Sequence, residues 1–375
     1  MPVTLLPGPE SSIQNVDNNV RGMDANVYEL EPSAAPLCAL SDAMGQVSSD
    51  NPKCEWLEDE SMPRITTLTA SASASATVYA VAQDIFRAGD VVRFSALNFG
   101  LLVSATAAGS ITGTILGTAA TGGVPVSGEL YLVANANAEG ATLREIKFPQ
   151  QVTQFNYDEI FRTPFGVTTT ELGTMHYGGD ERARLTKKFG IEHARAIEQS
   201  AFFGFRSISS TTRVAGGILS YLATNVSAAA SPLTELAWVT FLKLAFRYGS
   251  QNKTAFCSPQ AIAVIEGYAR NNLQVVTPDQ GNTYGIVMKR YVSGQGTVDI
   301  IKHPDWMDSA VFGGYVFVID MDAVRLRPLR NVGSTRLLKD RQAPDYDGVK
   351  DEYRSETCIQ VIHERRHALL TGVST

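Results

Sequence analysis

The feature that most constrains the fold is a long, charged, proline-free segment, GGDERARLTKKFGIEHARAIEQSAFFG, at residues 178–204. Asp180 can accept a hydrogen bond from a free N–H group at a helix start, and Glu181 follows in the first turn, where the helix dipole favours negative charge. We therefore predict one helix over this segment, roughly 36 Å long at about 1.5 Å per residue. We call it the spine helix.

The spine helix has two sides suited to packing and a charged face between them. One apolar stripe consists of Leu185, Phe189, Ala196 and Phe203, and a second stripe of mostly small residues consists of Ala183, Gly190, Ala194, Ile197 and Ala201. On the charged face we expect the ion pairs Asp180–Arg184 and Glu192–Arg195. Such a helix in a chain otherwise rich in strands predicts a structural element that contacts more than one layer.

Charge and cysteine usage narrow the classes of function. The 38 acidic residues outnumber the 32 basic ones, so the chain is not suited to wrapping nucleic acid by neutralising phosphates, although it could line a space that holds nucleic acid. Cys38, Cys54, Cys257 and Cys358 lie far apart without a CxxC pair, which predicts buried free thiols in a reducing compartment. The N-terminus lacks the charge and apolar run of a signal peptide.

The sequence pattern before the spine helix changes near residue 65. Residues 1–65 carry scattered prolines and read as an extended arm, in which the acidic cluster EWLEDE (residues 55–60) surrounds Trp56 and favours a surface clip over a core strand. Residues 66–165 alternate as strands do, and GELYLVANANAEGATLREI predicts two of them. Residues 94–128 are uncharged and contain a tandem GxxxG, but their serines, threonines and Pro125 favour short strands over a membrane helix.

The chain after the spine helix reads as a mixed α/β layer at residues 230–320, followed by strands. One helix begins near Ser231-Pro232 and ends at Gly249, and a second begins at Pro259. KTAFCS and YVFVIDMD predict strands, and SGQG joins a hairpin between them. The remainder, from Val324, is predicted to form strands and one polar loop, KDRQAPDYDGVK.

Two motifs suggest metals, and neither is complete. His363, Glu364 and His367 match the zinc-peptidase pattern HExxH, but they follow a β-branched run that predicts a strand, in which the histidines would lie roughly 13 Å apart. Residues 345, 347 and 356 fit positions of a calcium loop whose required glycine is replaced by Lys350. We predict no enzyme, no metal and no cofactor, and keep a zinc peptidase as the alternative of another class.

A basic run follows the α/β layer and is opposed only by Asp340. It consists of Arg325, Arg327, Arg330, Arg336, Lys339 and Arg341. Nucleic-acid binding, intrachain pairing or a solvated face, and contact with another subunit are all open, and we favour a neighbour's EWLEDE cluster as its partner. The candidate intersubunit contacts are Trp56, Glu58, Asp59, Glu181, Arg184, Arg325, Arg327 and Arg330.

The order of these parts resembles a known family. An acidic arm, a β-rich loop, a long helix ending in AFFGF, an α/β region and a strand-rich tail together resemble a tailed-bacteriophage major capsid protein of the Hong Kong 97 type. More narrowly, the chain is similar to the branch with a β-rich insertion in the extended loop. The stretches most like the family are residues 178–204, KTAFCSPQAIAVIEGY and VFVIDMDAVRLRPLRNVGSTRLLKDR.

The resemblance implies an α+β capsid fold with five segments. They are an N-terminal arm (1–65), an extended loop carrying a β subdomain (66–165), a peripheral domain with the spine helix (166–228), an axial domain (229–320) and the C-terminal strands of the peripheral domain (321–375). The resemblance further implies self-assembly into pentamers and hexamers that form an icosahedral shell around double-stranded DNA, without sequence-specific binding and without a membrane.

The same resemblance suggests partners and alternatives. A separate scaffolding protein, a portal and optionally a decoration protein are expected, with assembly in the host cytoplasm and the virion as the final location. Lys147 is the one lysine of the 66–150 region, so no isopeptide cross-link is predicted there. An encapsulin-like compartment around enzyme cargo remains the alternative on the same fold, and a secreted β-rich adhesin is a third possibility.

Overall fold

In the computed structural model the chain forms six α-helices and 21 strands within its described part. The described residues are 35–44, 46–73, 75–94, 99–117, 124, 128–176, 179–229, 233–269, 273–274, 288–303, 306, 309 and 311–373. The helices are α1 Pro36–Met44, α2 Thr169–Gly173, α3 Glu181–Phe203, α4 Ile218–Tyr221, α5 Glu235–Ala245 and α6 Pro259–Ala269.

The strands fall into two groups along the chain. Those before the spine helix are β1 Lys53–Glu58, β2 Ile65–Thr67, β3 Val78–Ala80, β4 Asp90–Phe94, β5 Phe99–Ala107, β6 Ser110–Gly117, β7 Glu129–Asn135, β8 Val152–Tyr157 and β9 Glu159–Thr168. Those after it are β10 Ser207–Ser209, β11 Thr212–Val214, β12 Val226–Ala228, β13 Asn252–Cys257, β14 Leu273–Gln274, β15 Met288–Ser293, β16 Gly296–Lys302, β17 Val316–Ile319, β18 Val324–Pro328, β19 Arg336–Leu338, β20 Gly348–Val361 and β21 Ala368–Thr371.

The chain divides into two compact units. Residues 57–154 form one, which we call the loop unit, and the described residues before and after them form the other, the main unit. The sequence-based boundaries of the extended loop are 66 and 165, so they assign β9 to it. In the structure β9 lies in the main unit because it pairs antiparallel with β20 over ten residue pairs, from Thr168↔Gly348 to Glu159↔Thr357.

The loop unit is built on a six-stranded sheet with the order β2-β7-β4-β5-β6-β3. The described part of the uncharged, glycine-rich segment contains strands, as predicted, and its strands β5 and β6 pair antiparallel. No helix in the described chain has the length and apolar character needed to span a membrane. The second strand predicted in GELYLVANANAEGATLREI is wrong, because after β7 the chain runs without regular structure over residues 136–151. The core contains Leu68, Tyr79, Phe86, Phe94, Leu101, Ile111 and Leu130.

The main unit contains a seven-stranded mixed sheet with the order β12-β21-β17-β13-β16-β15-β14. The predicted hairpin is confirmed as β15 and β16, with Ser293 paired to Gly296 across the turn. Helix α6 begins at Pro259 as predicted, whereas α5 begins later than predicted because Thr234, whose side chain accepts from Ala237 N–H, caps it. Strands β12 and β21 lie outside the sequence-based axial segment, yet they complete this sheet.

The spine helix is confirmed as α3. Asp180 caps it by accepting a hydrogen bond from the Arg182 N–H at 3.0 Å. The predicted Asp180–Arg184 pair is wrong, since among the described residues Arg184 pairs with Glu181. The predicted Arg195–Glu192 pair is present at 3.2 Å.

Helix α3 contacts two sheets, which confirms the prediction of more than one layer. Along its first half it packs on the four-stranded sheet of β9, β18, β19 and β20, where the Phe189 ring stacks on Phe165 at 5.2 Å between centroids. Its last turns enter a core shared with the seven-stranded sheet, in which Phe202 lies 5.3 Å from the Phe317 ring of β17. Two polar residues, His193 and Glu198, are also buried on this helix, which neither predicted stripe included.

Two expectations about short motifs, EWLEDE and HERRH, are wrong. EWLEDE is not simply a surface clip: its first four residues lie in β1, paired with β8, and Trp56 is buried with its ring centroid 6.1 Å from that of Tyr221. The HERRH segment does not continue a strand, since β20 ends at Val361, His363 adopts a left-handed backbone conformation (φ 52°), and residues 364–366 form a single 3-10 turn.

Candidate assembly surface

A polar layer holds the start of the spine helix on β20. The Arg182 guanidinium donates two hydrogen bonds of 2.7 Å to the buried carboxylate of Asp351, and a third of 3.0 Å to Asp340. The bonds from Arg182 are the main reason why the pKa of Asp351 lies below its ordinary value. Three turns further along the helix, His193 lies between Ser355 (2.6 Å) and Thr163 (2.9 Å). The helix is therefore fixed by directional bonds as well as by apolar packing.

A buried carboxylate on the spine helix caps helix α1. Ala35, which precedes α1, has no side-chain acceptor, and Pro36 has no N–H group, so the first free donors are the N–H groups of Leu37 and Cys38. The two oxygens of Glu198 accept these donors at 2.8 Å each. His303 lies 3.2 Å from the same carboxylate and stacks on Trp306. Because Glu198 is 160 residues from Cys38, this cap ties the arm to the helix.

The most unusual surface of the loop unit is the stretch at residues 143–148, which we call the inverted segment. Its apolar side chains face outward: Leu143 is 89% exposed, Ile146 76% and Phe148 81%. Large apolar side chains grouped this way on a protein surface are characteristic of interaction sites. Sequence reasoning missed this surface because it assigned the stretch to a strand of the sheet.

The two cationic side chains of the inverted segment are directed into the loop unit, whereas its one carboxylate, Glu145, is exposed. Arg144 forms an ion pair with the buried Asp90 and donates to the carbonyl oxygen of Ala88 at 3.2 Å. Lys147 pairs with Asp84 at 3.1 Å and donates to the Phe86 carbonyl oxygen at 2.9 Å. These bonds hold an irregular stretch of chain in place, with its cations inward and its apolar groups outward. The arrangement resembles one half of an interface.

The predicted intersubunit residues lie at several places. Asp59 is exposed and Glu58 half-buried at the end of β1, while Glu181 and Arg184 pair with each other on the first turn of α3. The pKa of Glu181 is held below its ordinary value chiefly by the hydrogen bond from Arg184. Glu181 and Arg184 therefore already have partners within the chain, and Glu58 and Asp59 stand at and just beyond the end of a strand.

The basic run is divided between exposed and engaged side chains. Arg325 and Arg327 both lie on β18; Arg325 is exposed, whereas Arg327 is half-buried and donates to the Ser48 carbonyl oxygen at 3.3 Å. Arg330 pairs with Asp50 at 3.2 Å. Residues 48–50 of the same chain thus supply partners for two of these three arginines, so the intrachain alternative accounts for part of the run.

The HERRH residues have structural roles. The Glu364 carboxylate accepts the N–H groups of Ala223 (2.7 Å) and Thr224 (3.1 Å). His367 is fully buried and its Nδ1 accepts the Asp320 N–H at 3.2 Å, and burial lowers its pKa to about 4. In the described part of the chain, His363, Glu364 and His367 do not converge on a position for a metal ion.

Comparison with known proteins identifies the relatives of this chain. The model of the SU10 major capsid protein family matches residues 11–374. The major capsid protein of Pseudomonas phage PaMx41 is 20% identical over 395 residues, which cover 95% of this chain and 93% of the relative.

Solved structures share the fold at low sequence identity. The capsid of a native GTA particle has a TM-score of 0.53 at 10% identity and covers 98% of this chain and 100% of its own. The structure of Microbacterium phage Oxtober96 has a TM-score of 0.51 at 11% identity, with 97% of this chain and 99% of its own covered. The capsid of Myoviridae phage XM1 gives 0.50 at 10% identity, with 98% and 100% covered. The predicted capsid fold is thereby confirmed.

Proposed function

Because the chain belongs to the SU10 major capsid protein family, we propose that its copies assemble as pentamers and hexamers that close an icosahedral shell around double-stranded DNA. A major capsid protein is a structural subunit of a phage capsid, so the function lies in contacts between copies and not in an active site. Membership of this family favours a virion shell over the encapsulin-like compartment that the sequence left open.

The observation that carries the assembly proposal is the inverted segment. Leu143, Ile146 and Phe148 leave most of their apolar area in water in the single chain. Covering an apolar side chain of this size contributes about 1.5–3 kcal/mol, so the three together contribute about 5 kcal/mol or more per copy. Many such contacts of modest strength suffice for a closed shell, because each copy is held by several neighbours at once.

The occupant of this surface is a second copy of the chain. In a shell of identical subunits, every exposed interaction surface meets the same partner in large excess. The cations of the segment are already paired inward with Asp84 and Asp90, so its outer side offers three apolar side chains beside a single exposed carboxylate, Glu145. We assign the neighbour's contact to this outer side.

A charged contact adds to the apolar one. Of the arginines predicted to contact a neighbour, Arg325 is exposed on β18, whereas Arg327 and Arg330 bond to residues 48–50 of their own chain. Of these three arginines, Arg325 is therefore the one that we assign to a neighbour, with the acidic Glu58–Glu60 end of EWLEDE as the complementary charge. An exposed contact of this kind is expected to steer association more than to strengthen it.

The remaining partners follow from the capsid role. We propose a separate scaffolding protein, a portal and optionally a decoration protein, with assembly in the host cytoplasm. The excess of acidic over basic residues, 38 against 32, suits a shell wall that encloses DNA without binding its phosphates tightly.

The test is a triple substitution, Leu143→Ser with Ile146→Ser and Phe148→Ser. The expected result is a folded protein, with an unchanged circular dichroism spectrum, that no longer sediments as shells in velocity centrifugation and shows no particles by negative-stain electron microscopy. Since the three side chains contribute little to the core of the loop unit, loss of folding is not expected.

The matched control changes exposed polar residues within and beside the inverted segment, Thr142→Ser with Glu145→Gln and Gln150→Ser. This control is expected to assemble as the unmodified chain does. Normal shells from the triple serine variant would contradict the assignment of the inverted segment as an assembly contact.

A further inference from the structure

Two cysteines that are 304 residues apart in the sequence meet in the main unit. Cys54 of β1 and Cys358 of β20 have their sulfur atoms 2.9 Å apart, and each residue is only 2% exposed. With the buried Ala215 they form a small hydrophobic cluster. Neither Cys38 nor Cys257 belongs to this cluster. The spacing of the cysteines along the chain offered no indication of this pair.

A buried carboxylate stands beside the cysteine pair. Asp158, which follows β8 and is fully buried, has its Oδ1 3.2 Å from the Cys54 sulfur. Its Oδ2 has no hydrogen-bond partner within the described residues, so the carboxylate has spare capacity to take a proton. The Ser49 hydroxyl lies 2.9 Å from the same sulfur.

The environment favours different protonation of the two thiols. The pKa of Cys54 is lowered, chiefly because the Cys358 thiol donates a hydrogen bond to its sulfur, whereas the pKa of Cys358 is raised for the same reason. Burial is the main reason why the pKa of Asp158 is raised, which makes its carboxylate a better proton acceptor. Cys54 is therefore the more nucleophilic thiol of the pair.

The three residues could also hold a metal ion, since their ligand atoms all lie within 4.8 Å of one another. The distance between the sulfurs argues against a metal. Two thiolates on a tetrahedral zinc ion, each about 2.3 Å from it, stand roughly 3.7 Å apart, whereas these sulfurs lie 2.9 Å apart. To form a disulfide the two sulfurs must move closer together, whereas to bind zinc they would have to move apart.

We propose that Cys54 and Cys358 are a modification site at which the folded chain forms an intrachain disulfide when it meets an oxidant of the peroxide class. Cys54 thiolate attacks one oxygen of hydrogen peroxide, so that Cys54 becomes a sulfenic acid and the other oxygen leaves as water after taking a proton. The Cys358 thiol then attacks the Cys54 sulfur, the disulfide forms, and the sulfenic oxygen leaves as a second water. In the first step Asp158 receives the proton of the Cys54 thiol and passes it to the oxygen that leaves peroxide; in the second step it relays the proton of the Cys358 thiol to the sulfenic oxygen in the same way.

The bond would join the strand that leads into the loop unit to the longest strand of the main unit. Closing a loop of this length restricts the unfolded chain and so stabilises the folded one. That this bond would stabilise an assembled shell rests on the proposed function, whereas the formation of the bond does not. In that function the thiols stay reduced in the host cytoplasm during assembly and become oxidised after the particle is released.

The experiment treats the full-length folded chain with dilute hydrogen peroxide, alkylates the remaining thiols under denaturing conditions, and digests it with trypsin. The expected product is a disulfide-linked pair of the peptides 54–64 and 355–365, two hydrogen masses lighter than the separate peptides. Recovery of both peptides fully alkylated would overturn the proposal. So would zinc present in a one-to-one ratio in the purified protein, because the sulfurs would then be metal ligands.

A second measurement needs no mass spectrometry. The peroxide-treated chain is expected to unfold about 5 °C higher than the same sample after reduction. Cys54→Ser should abolish this difference, whereas the control Cys38→Ser should retain it because Cys38 lies outside the pair. An equal shift in the Cys54→Ser protein would refute the assignment. Since both readouts use the unassembled chain, their failure is distinguishable from a failure to form shells.

Discussion

Glu198 allows the most quantitative test of how the arm is attached. Its carboxylate is fully buried and accepts the N–H groups of Leu37 and Cys38, both at 2.8 Å. A hydrogen bond to a charged group contributes about 1.5–3 kcal/mol, so the two together hold the start of α1 with roughly 3–6 kcal/mol. Glu198→Ala removes both acceptors and leaves two buried donors without partners.

The expected effect of Glu198→Ala is a loss of about 3–5 kcal/mol in the free energy of unfolding. Glu198→Gln should lose about half as much, because the amide oxygen replaces one acceptor and the amide nitrogen cannot replace the other. The more direct assay is hydrogen exchange of the Leu37 and Cys38 amides, followed by mass spectrometry. Local opening that is easier by about 3 kcal/mol speeds exchange more than roughly a hundredfold.

The control for this series is Glu192→Gln, a change on the solvent side of the same helix, where Glu192 pairs with Arg195 in a partly exposed position. It is expected to alter stability by less than about 1 kcal/mol and to leave both amides protected. Equal exchange rates of these amides in Glu198→Ala and in the unmodified chain would show that the Glu198 cap does not hold α1.

Three further predictions address other parts of the molecule. In the folded chain His367 has a pKa of about 4 and stays neutral above that pH, whereas in the unfolded chain its imidazole is protonated near pH 6.5. The free energy of unfolding should therefore fall by roughly 3 kcal/mol between pH 6.5 and 4. In urea unfolding, His367→Asn should show a shallower dependence of this free energy on pH, and equal slopes would contradict this. Gly113→Ala places a Cβ 2.3 Å from the Leu102 carbonyl oxygen and should cost about 1–3 kcal/mol in thermal unfolding, whereas Gly173→Ala, with open space around it, should not. Arg325→Glu should slow shell formation in light scattering at low salt without changing chain stability, unlike the exposed Lys302→Glu; equal rates would remove Arg325 from the interface.

Elements with local start and stop signals could be predicted from the sequence. The cap Asp180 and the following charged run predicted α3, Pro259 predicted α6, and SGQG predicted the β15–β16 hairpin, all of which are present. These signals act over a few residues, so neighbouring sequence is sufficient to read them.

Features that depend on distant partners were not predictable in this way. The sequence showed Trp56 in an acidic cluster, but only the pairing of β1 with β8 explains its burial beside Tyr221. Likewise, Glu198 reads as a solvent-facing residue of a charged helix until α1 is placed against it. Nothing local marks a residue whose hydrogen-bond partner lies more than a hundred positions away.

The candidate surface was missed for a related reason. ATLREI alternates enough to suggest a strand, and only the inward pairing of Arg144 with Asp90 and of Lys147 with Asp84 shows that its apolar side chains point outward. The acidic partners lie more than fifty residues earlier in the chain. Segment type could be guessed from composition, but the direction of each side chain could not.

The central claim is that copies of this chain cover one another's exposed apolar segment in a closed shell. Cryo-electron microscopy of particles assembled from the purified protein tests it most directly. We expect icosahedral shells of five- and six-membered rings in which Leu143, Ile146 and Phe148 are buried against a neighbouring copy. A chain that stays monomeric at high concentration, or shells in which these three side chains face solvent, would contradict it.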